Sequence, residues 1–238
     1  MILSFLIIYV SLYNFAMEKP LIKSYLLDIS SINDESFNNF IKGIKEYRKE
    51  KIEKLSLKQS KYLSLAVELL IKKACEDFGI NYLNEEIVFN EHGKPSFKTS
   101  KLFFNTAHSG NYALCVISNV EVGCDIEKIK EYNQRIATRF YSKGENNYIE
   151  LSEDKNEMLY RIWTLKESYL KCIGKGLALP LNSFELFAKD EEIVVKGKDN
   201  YSFIEFKHEN YRIAFCLNVN IKEKEKYNHS TSLITFNN

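Results

Sequence analysis

The chain of 238 residues has little that would mark it as a special class of protein. Three Pro and nine Gly exclude a collagenous or linker-rich chain. Five Cys, at 75, 115, 124, 172 and 216, form no C-x-x-C, and there are only four His, so a zinc module has no basis. The odd thiol count fits small buried apolar residues of a reducing compartment, and hence the cytoplasm. The formal net charge is only +1, which gives no support to a general nucleic-acid binder. No apolar run reaches the roughly 20 residues of a spanning helix. The longest, residues 2–16 (ILSFLIIYVSLYNFA), stops before Met17 and has no Lys or Arg in front of it. We read it as upstream of the true start at Met17, ahead of a short membrane anchor and, last, a cleaved signal. What remains is ordinary globular composition, 45% hydrophobic and 27% charged, enough for one large core or two smaller ones.

The charge is neutral only on average. Residues 42–61 carry eight Lys or Arg against three acids, and 145–157 carry five acids against one Lys. Periodicity predicts a strand at 25–29, a charged helix over 40–55, and a more apolar helix over 60–78 ended by Gly79. Strands follow at 86–90, 102–104, 112–118 and 120–126, with turns at 91–95 and 109–111. A short helix at 134–141 precedes a stretch at 145–157 that is either solvated or the entry from a loop into a helix. A long helix over 158–172 ends at Gly174, and four strands fill 183–219. Asn111-Tyr112 and Asn210-Tyr211 each open a strand after a turn, a weak internal echo.

Asp125-Ile126-Glu127 lies in an apolar strand, so its two carboxylates share one face. Either this is a solvated strand end neutralised by Lys128 and Lys130, or it holds a divalent cation, which removes the repulsion between the acids. On the long helix, Trp163, Glu167 and Lys171 recur every four residues. Such a face is either an ordinary amphipathic one with a Glu-Lys pair, or it presents Glu167 as a third oxygen ligand and Lys171 to a phosphate. Gly174-Lys175-Gly176 follows, without the spacing of a Walker loop. Upstream, Gly93-Lys94-Pro95 sets a cation on a stiff turn, and Ala107-His108-Ser109 places an imidazole beside a hydroxyl.

In order, these blocks read G-K-P, F-N-T-A-H-S, G-C-D-I-E and W-T-L-K-E-S-Y-L-K-C-I-G-K-G-L. Together they resemble the 4′-phosphopantetheinyl transferase superfamily in its longer, two-half form, the Sfp type. The resemblance runs from about Lys23 to Asn220 and departs where Ala107 replaces a usual Ser, at a cost of one hydrogen bond, about 1 kcal/mol. Thr106 and Ser109 stand beside it as substitutes.

The resemblance implies an α+β fold of two similar subdomains in pseudo-twofold arrangement, with the active site in the cleft between them. The expected division is an extension at 1–16, one half at 17–128 and another at 129–238, so that Asp125 and Glu127 face Glu167 across the cleft. It implies transfer of 4′-phosphopantetheine from coenzyme A to a serine of an apo acyl or peptidyl carrier protein, releasing adenosine 3′,5′-bisphosphate. Mg²⁺, or Mn²⁺, would be held by Asp125, Glu127 and Glu167. Coenzyme A would meet Arg48, Lys51, Lys61, Lys94, Pro95, Ala107, His108 and Lys171. Glu167 and Lys171 would act in catalysis, with Glu145 at a second acidic position able to hold a metal-linked water. A monomer is expected, with no nucleic-acid partner and no membrane unless residues 1–16 are an anchor. The alternatives are a coenzyme A or nucleotide pyrophosphatase, with water as nucleophile, and an inactive relative that only binds carrier or coenzyme A.

Overall fold

The computed structural model describes residues 21–189 and 192–219, with short strands at Phe5–Leu6 and Ser232–Ile234. Apart from the first of these strands, the apolar extension lies outside the described residues. Among the described residues no helix is long and apolar enough to cross a membrane. In chain order the elements are β1 (Phe5–Leu6), β2 (Ile22–Asp28), α1 (Asp34–Phe40), α2 (Glu46–Glu53), α3 (Lys58–Asp77), β3 (Ile87–Phe89), β4 (Pro95–Phe97), β5 (Phe103–Ser109) and β6 (Tyr112–Ser118). There follow β7 (Val122–Lys128), α4 (Gln134–Phe140), α5 (Lys143–Leu151), α6 (Lys155–Ile173), β8 (Leu186–Lys189), β9 (Glu192–Val195), β10 (Ser202–His208), β11 (Tyr211–Leu217) and β12 (Ser232–Ile234). The chain is mixed α+β.

Two compact units result. One is Met1–Val88, Ser96–Asn119 and Glu225–Asn238; the other is Phe89–Pro95 and Val120–Lys224. The change of unit falls at 119/120, so β7 with Asp125 and Glu127 belongs to the same unit as α6 with Glu167. That differs from the expectation of acids contributed by separate halves. The reason is the antiparallel pairing of β7 with β11, which sets Asp125 opposite Ala214 and Glu127 opposite Arg212.

In the first unit the sheet order is β1-β12-β2-β6-β5. Tyr25 and Leu27 of β2 and Ala113, Cys115 and Ile117 of β6 present alternate side chains to one core. Ala66, Leu70 and Ala74 of α3 fill that core from a single helical stripe. In the second unit the order is β10-β11-β7, and α6 supplies Leu165, Tyr169 and Leu170 to a core with Ala214 and Cys216. All five cysteines are buried thiols.

The same plan thus occurs twice: a strand, a long helix, then a hairpin whose second strand pairs with the first. The Asn-Tyr echo marks equivalent points in it. Asn111 O accepts from Ile29 N at 2.9 Å, and Asn210 O accepts from Ile129 N at 2.8 Å.

One local expectation fails and one open alternative is decided, each for an identifiable reason. The helix expected over 40–55 is interrupted, because Ile44 and Lys45 are extended. Ile44 is buried with Ile52 and Leu65, and Lys45 N donates to the Tyr82 hydroxyl at 3.3 Å. These contacts outweigh the helical preference of the charged run. Of the two readings of 145–157 the helical one holds: the stretch contains most of α5, whose start is a capping box in which Glu145 N donates to Ser142 Oγ at 3.1 Å and Ser142 N to Glu145 Oε2 at 2.7 Å.

Gly123 lets α6 lie directly on β7. A Cβ there would come within 2.1 Å of Ser168 O and 2.2 Å of Cys172 N, both backbone atoms of the helix. Neither can move without shifting the helix. Gly123→Ala is therefore expected to cost about 3 kcal/mol and lower Tm by about 6–12 °C; an unchanged melting curve would show that α6 is not held at this distance.

Candidate active site

The centre of the second unit is built by β7 and α6. β7 carries Asp125 and Glu127 on one face, Asp125 only 4% exposed and Glu127 half-buried. α6 is capped at its start by Asp154, whose Oδ1 accepts from Glu157 N at 3.0 Å, and closed at its end by Gly174, which adopts the left-handed conformation at φ 67°. One turn apart on it are Glu167 and Lys171. Lys171 Nζ donates to Asp125 Oδ1 at 2.6 Å. Burial and the neighbouring Asp125 carboxylate push the Glu167 carboxyl above its ordinary range, against the pull of Lys171. Burial pulls Lys171 down, but Asp125, Cys124 and Glu167 together more than offset it, so its ammonium is held above its ordinary range. A carboxylate pair with one resident cation is the outcome.

The donor set Asp125, Glu127 and Glu167 is all hard oxygen, the chemistry Mg²⁺ or Mn²⁺ prefers. The repulsion between Asp125 and Glu167 is what a divalent cation relieves. As they stand, no three His, Cys, Asp or Glu side chains among the described residues are gathered into a ready-made metal site, and Lys171 supplies the neutralising charge to Asp125.

The other expected site residues are distributed as follows. Lys94 and Pro95 are in the second unit. Lys94 Nζ donates to Cys172 O at 2.6 Å, at the C-terminal end of α6, where a cation is favoured by the helix dipole. Asn90 Nδ2 donates to Gly174 O at 2.9 Å beside it. Arg48, Lys51, Lys61, Ala107 and His108 are in the first unit. Arg48 Nε pairs with the buried Glu68 at 2.7 Å, Lys51 is exposed on α2, and Lys61 is half-buried on α3. On β5, Ala107 is buried and His108 exposed, on opposite faces. Thr106 shares the His108 face, so of the two neighbours expected to replace the absent hydroxyl only Ser109 lies on the side of Ala107.

Glu145 is not solvated. It is 2% exposed, and both its oxygens accept from Lys166 Nζ at 2.6 Å. Oε1 also accepts from Leu186 N at 2.8 Å, and Lys166 donates to Phe184 O at 2.8 Å. Burial pulls the Lys166 ammonium below its ordinary range against the pull of Glu145. This pair ties α5, β8 and α6 together, next in sequence to Glu167, and sequence reasoning missed it. A signal was present: Lys166 lies on the buried stripe Ile162, Lys166, Leu170, where a cation must have a partner.

These features coincide with a known family. The model of the 4′-phosphopantetheinyl transferase superfamily matches residues 121–216, from just before β7 through most of β11. The 4′-phosphopantetheinyl transferase Sfp of Bacillus subtilis is 30% identical over 215 residues, 86% of this chain and 91% of the relative. This chain belongs to the 4′-phosphopantetheinyl transferase superfamily. The transferase gsp of Aneurinibacillus migulanus is 39% identical over 138 residues, 56% of this chain, and the match spans only 57% of that relative's length. Among solved structures, a holo-(acyl-carrier-protein) synthase from Bacillus anthracis, in complex with CoA (3′,5′-ADP), overlaps 41% of this chain and 94% of its own at a TM-score of 0.36 and 17% identity.

Removing one partner of the buried pair leaves a charge without compensation. Lys166→Met is expected to cost about 3–5 kcal/mol, and adding Glu145→Gln should restore part of it in a double-mutant cycle. Denaturant unfolding that finds both single variants as stable as the parent would contradict this account of the pair.

Proposed function

We infer that this chain moves 4′-phosphopantetheine from coenzyme A to a serine hydroxyl of an apo carrier protein, releasing adenosine 3′,5′-bisphosphate. The chain is a 4′-phosphopantetheinyl transferase. The observation that carries the reading is the juxtaposition of Asp125, Glu167 and Lys171, on the strand and helix that hold the family's two acidic blocks.

In the reaction the serine oxygen forms a bond to the phosphorus that bears pantetheine, and the bond from that phosphorus to the bridging pyrophosphate oxygen breaks. The electron pair leaves on adenosine 3′,5′-bisphosphate, and the serine proton must be taken up. Glu167, whose carboxyl is raised above its ordinary range by burial and Asp125, accepts it directly or through a water. Lys171 offers a charged ammonium to the phosphates and to the leaving oxygen. Asp125 orients Lys171 until substrate arrives. Asp125, Glu127 and Glu167 would hold Mg²⁺ or Mn²⁺, which when bound supplies a Lewis acid and neutralises the pyrophosphate.

We further propose that Lys94 and Pro95 line the nucleotide site, that His108 meets the 3′-phosphate beside Ala107, and that Arg48, Lys51 and Lys61 bind coenzyme A phosphates. The motif resemblance supports these roles, as it supports a pseudo-twofold pairing of the halves around coenzyme A. The same reading has the enzyme acting as a cytoplasmic monomer on carriers of fatty-acid, polyketide or peptide synthesis.

Incubating the protein with coenzyme A, Mg²⁺ and a set of apo carriers is expected to give a phosphopantetheine adduct on one serine by mass spectrometry, abolished by chelator and restored by Mg²⁺ or Mn²⁺. Asp125→Ala is expected to retain its circular dichroism spectrum and lose at least about 100-fold in rate. Coenzyme A breakdown without any carrier, and no adduct with one, would point to the pyrophosphatase instead.

A further inference from the structure

The second unit has a cavity of about 660 Å³ whose lining includes none of the residues proposed for the transfer reaction. Its volume is that of a site for a drug-sized molecule. Tyr169 and Ile173 of α6 form part of the lining, with Phe184, Leu179, Val195 and Tyr201. Tyr169 packs edge-on against Tyr201 at 4.9 Å and against Phe184 at 5.2 Å between ring centroids, so the apolar wall is a held surface. Tyr169 and Ile173 are one turn apart, and so are Glu167 and Lys171, but the two pairs are offset by two residues, about 200° around a helix. The cavity is therefore on the opposite face of α6 from the proposed catalytic groups.

Its polar lining has one sign in excess. Lys175, Lys196 and Lys198 line it, and Glu185 is the single acid among its lining residues. Glu185 is engaged twice, by Lys196 Nζ at 3.0 Å and by Ser142 Oγ at 3.0 Å. Those bonds hold its carboxyl below the ordinary range, so it remains an anion neutralised by its own neighbours. Lys175 and Lys198 are then the charges left for a ligand, and both are exposed. Asn182 and Ser183 add polar groups to the lining.

We propose that this cavity is a second binding site, for an amphipathic anion: an apolar body lying against Tyr169, Tyr201 and Phe184, with a phosphate or carboxylate head at Lys175 and Lys198. Its occupant is separate from the coenzyme A and carrier of the transfer reaction, and the inference stands without the reading above. Because both faces belong to one helix, an occupant would brace the C-terminal turns of α6 from behind.

The test is calorimetric titration of the full chain with decyl phosphate, decanoate and neutral decanol, each below its micellar or solubility limit. Saturable 1:1 binding of an anion, at least tenfold tighter than decanol, is expected; the tighter of the two anions identifies the head group. Saturating coenzyme A should leave that affinity unchanged. Lys175→Glu with Lys198→Glu should weaken it at least tenfold, and Ser183→Trp, at an exposed position of the lining, should block it with Tm within 2 °C of the parent. Competition by coenzyme A would make the cavity part of the transfer site and overturn the proposal. Equal binding of decanol, indifference to both variants, or no saturable binding of either anion would each do the same.

Discussion

The contact on which the site depends is the seating of α6 on β7. Where most strands present side chains to a helix, β7 presents Gly123, and the helix backbone comes within the space a methyl group would need. At that distance the i, i+4 pair on the helix reaches the strand carboxylate, and a 2.6 Å ion pair closes between Lys171 and Asp125. Everything chemical in the unit follows from this approach. Close packing brings like charges together, burial makes the repulsion strong, and a resident ammonium tempers it.

Holding a helix so close requires that it neither slide nor rotate. Three features constrain α6. Its C-terminal end is closed by Gly174 and by donors from Lys94 and Asn90. Its middle is fastened by Lys166, which reaches Glu145 and the backbone of Phe184. Its N-terminal half is tied to the hairpin, where Arg161 Nε donates to Glu205 at 2.8 Å. The catalytic proposal thus rests on side chains whose task in this structure is positional, and one of them, Lys94, is also the cation proposed for the nucleotide site.

The repeated plan of strand, helix and hairpin explains why the echo is so slight. Topology and core burial can recur with almost any apolar residues, so similarity is retained only where backbone geometry is demanding. The Asn-Tyr step at 111 and 210 is such a place, since each Asn carbonyl receives the chain just after the strand that opens its copy of the plan, β2 or β7. The chemistry does not recur: in β2 the residues corresponding in register to Asp125 and Glu127 are Tyr25 and Leu27.

The sequence by itself determined the family, the α+β character, most strands and the two long helices, because these follow from local periodicity and from motif order. It also singled out Asp125, Glu127, Glu167 and Lys171, since acids on an apolar strand and a four-residue spacing on a helix are visible without coordinates. Only the tertiary structure decided which of these residues touch. It broke the helix expected over 40–55 by burying Ile44, turned Glu145 from a solvated acid into the partner of Lys166, and occupied Arg48 with Glu68. It also put Thr106 on the face away from Ala107 and opened a lysine-rimmed cavity behind the helix. Most of these outcomes depend on partners 20 or more residues away along the chain, and the energy of burying an ion pair or an isoleucine is set by those partners.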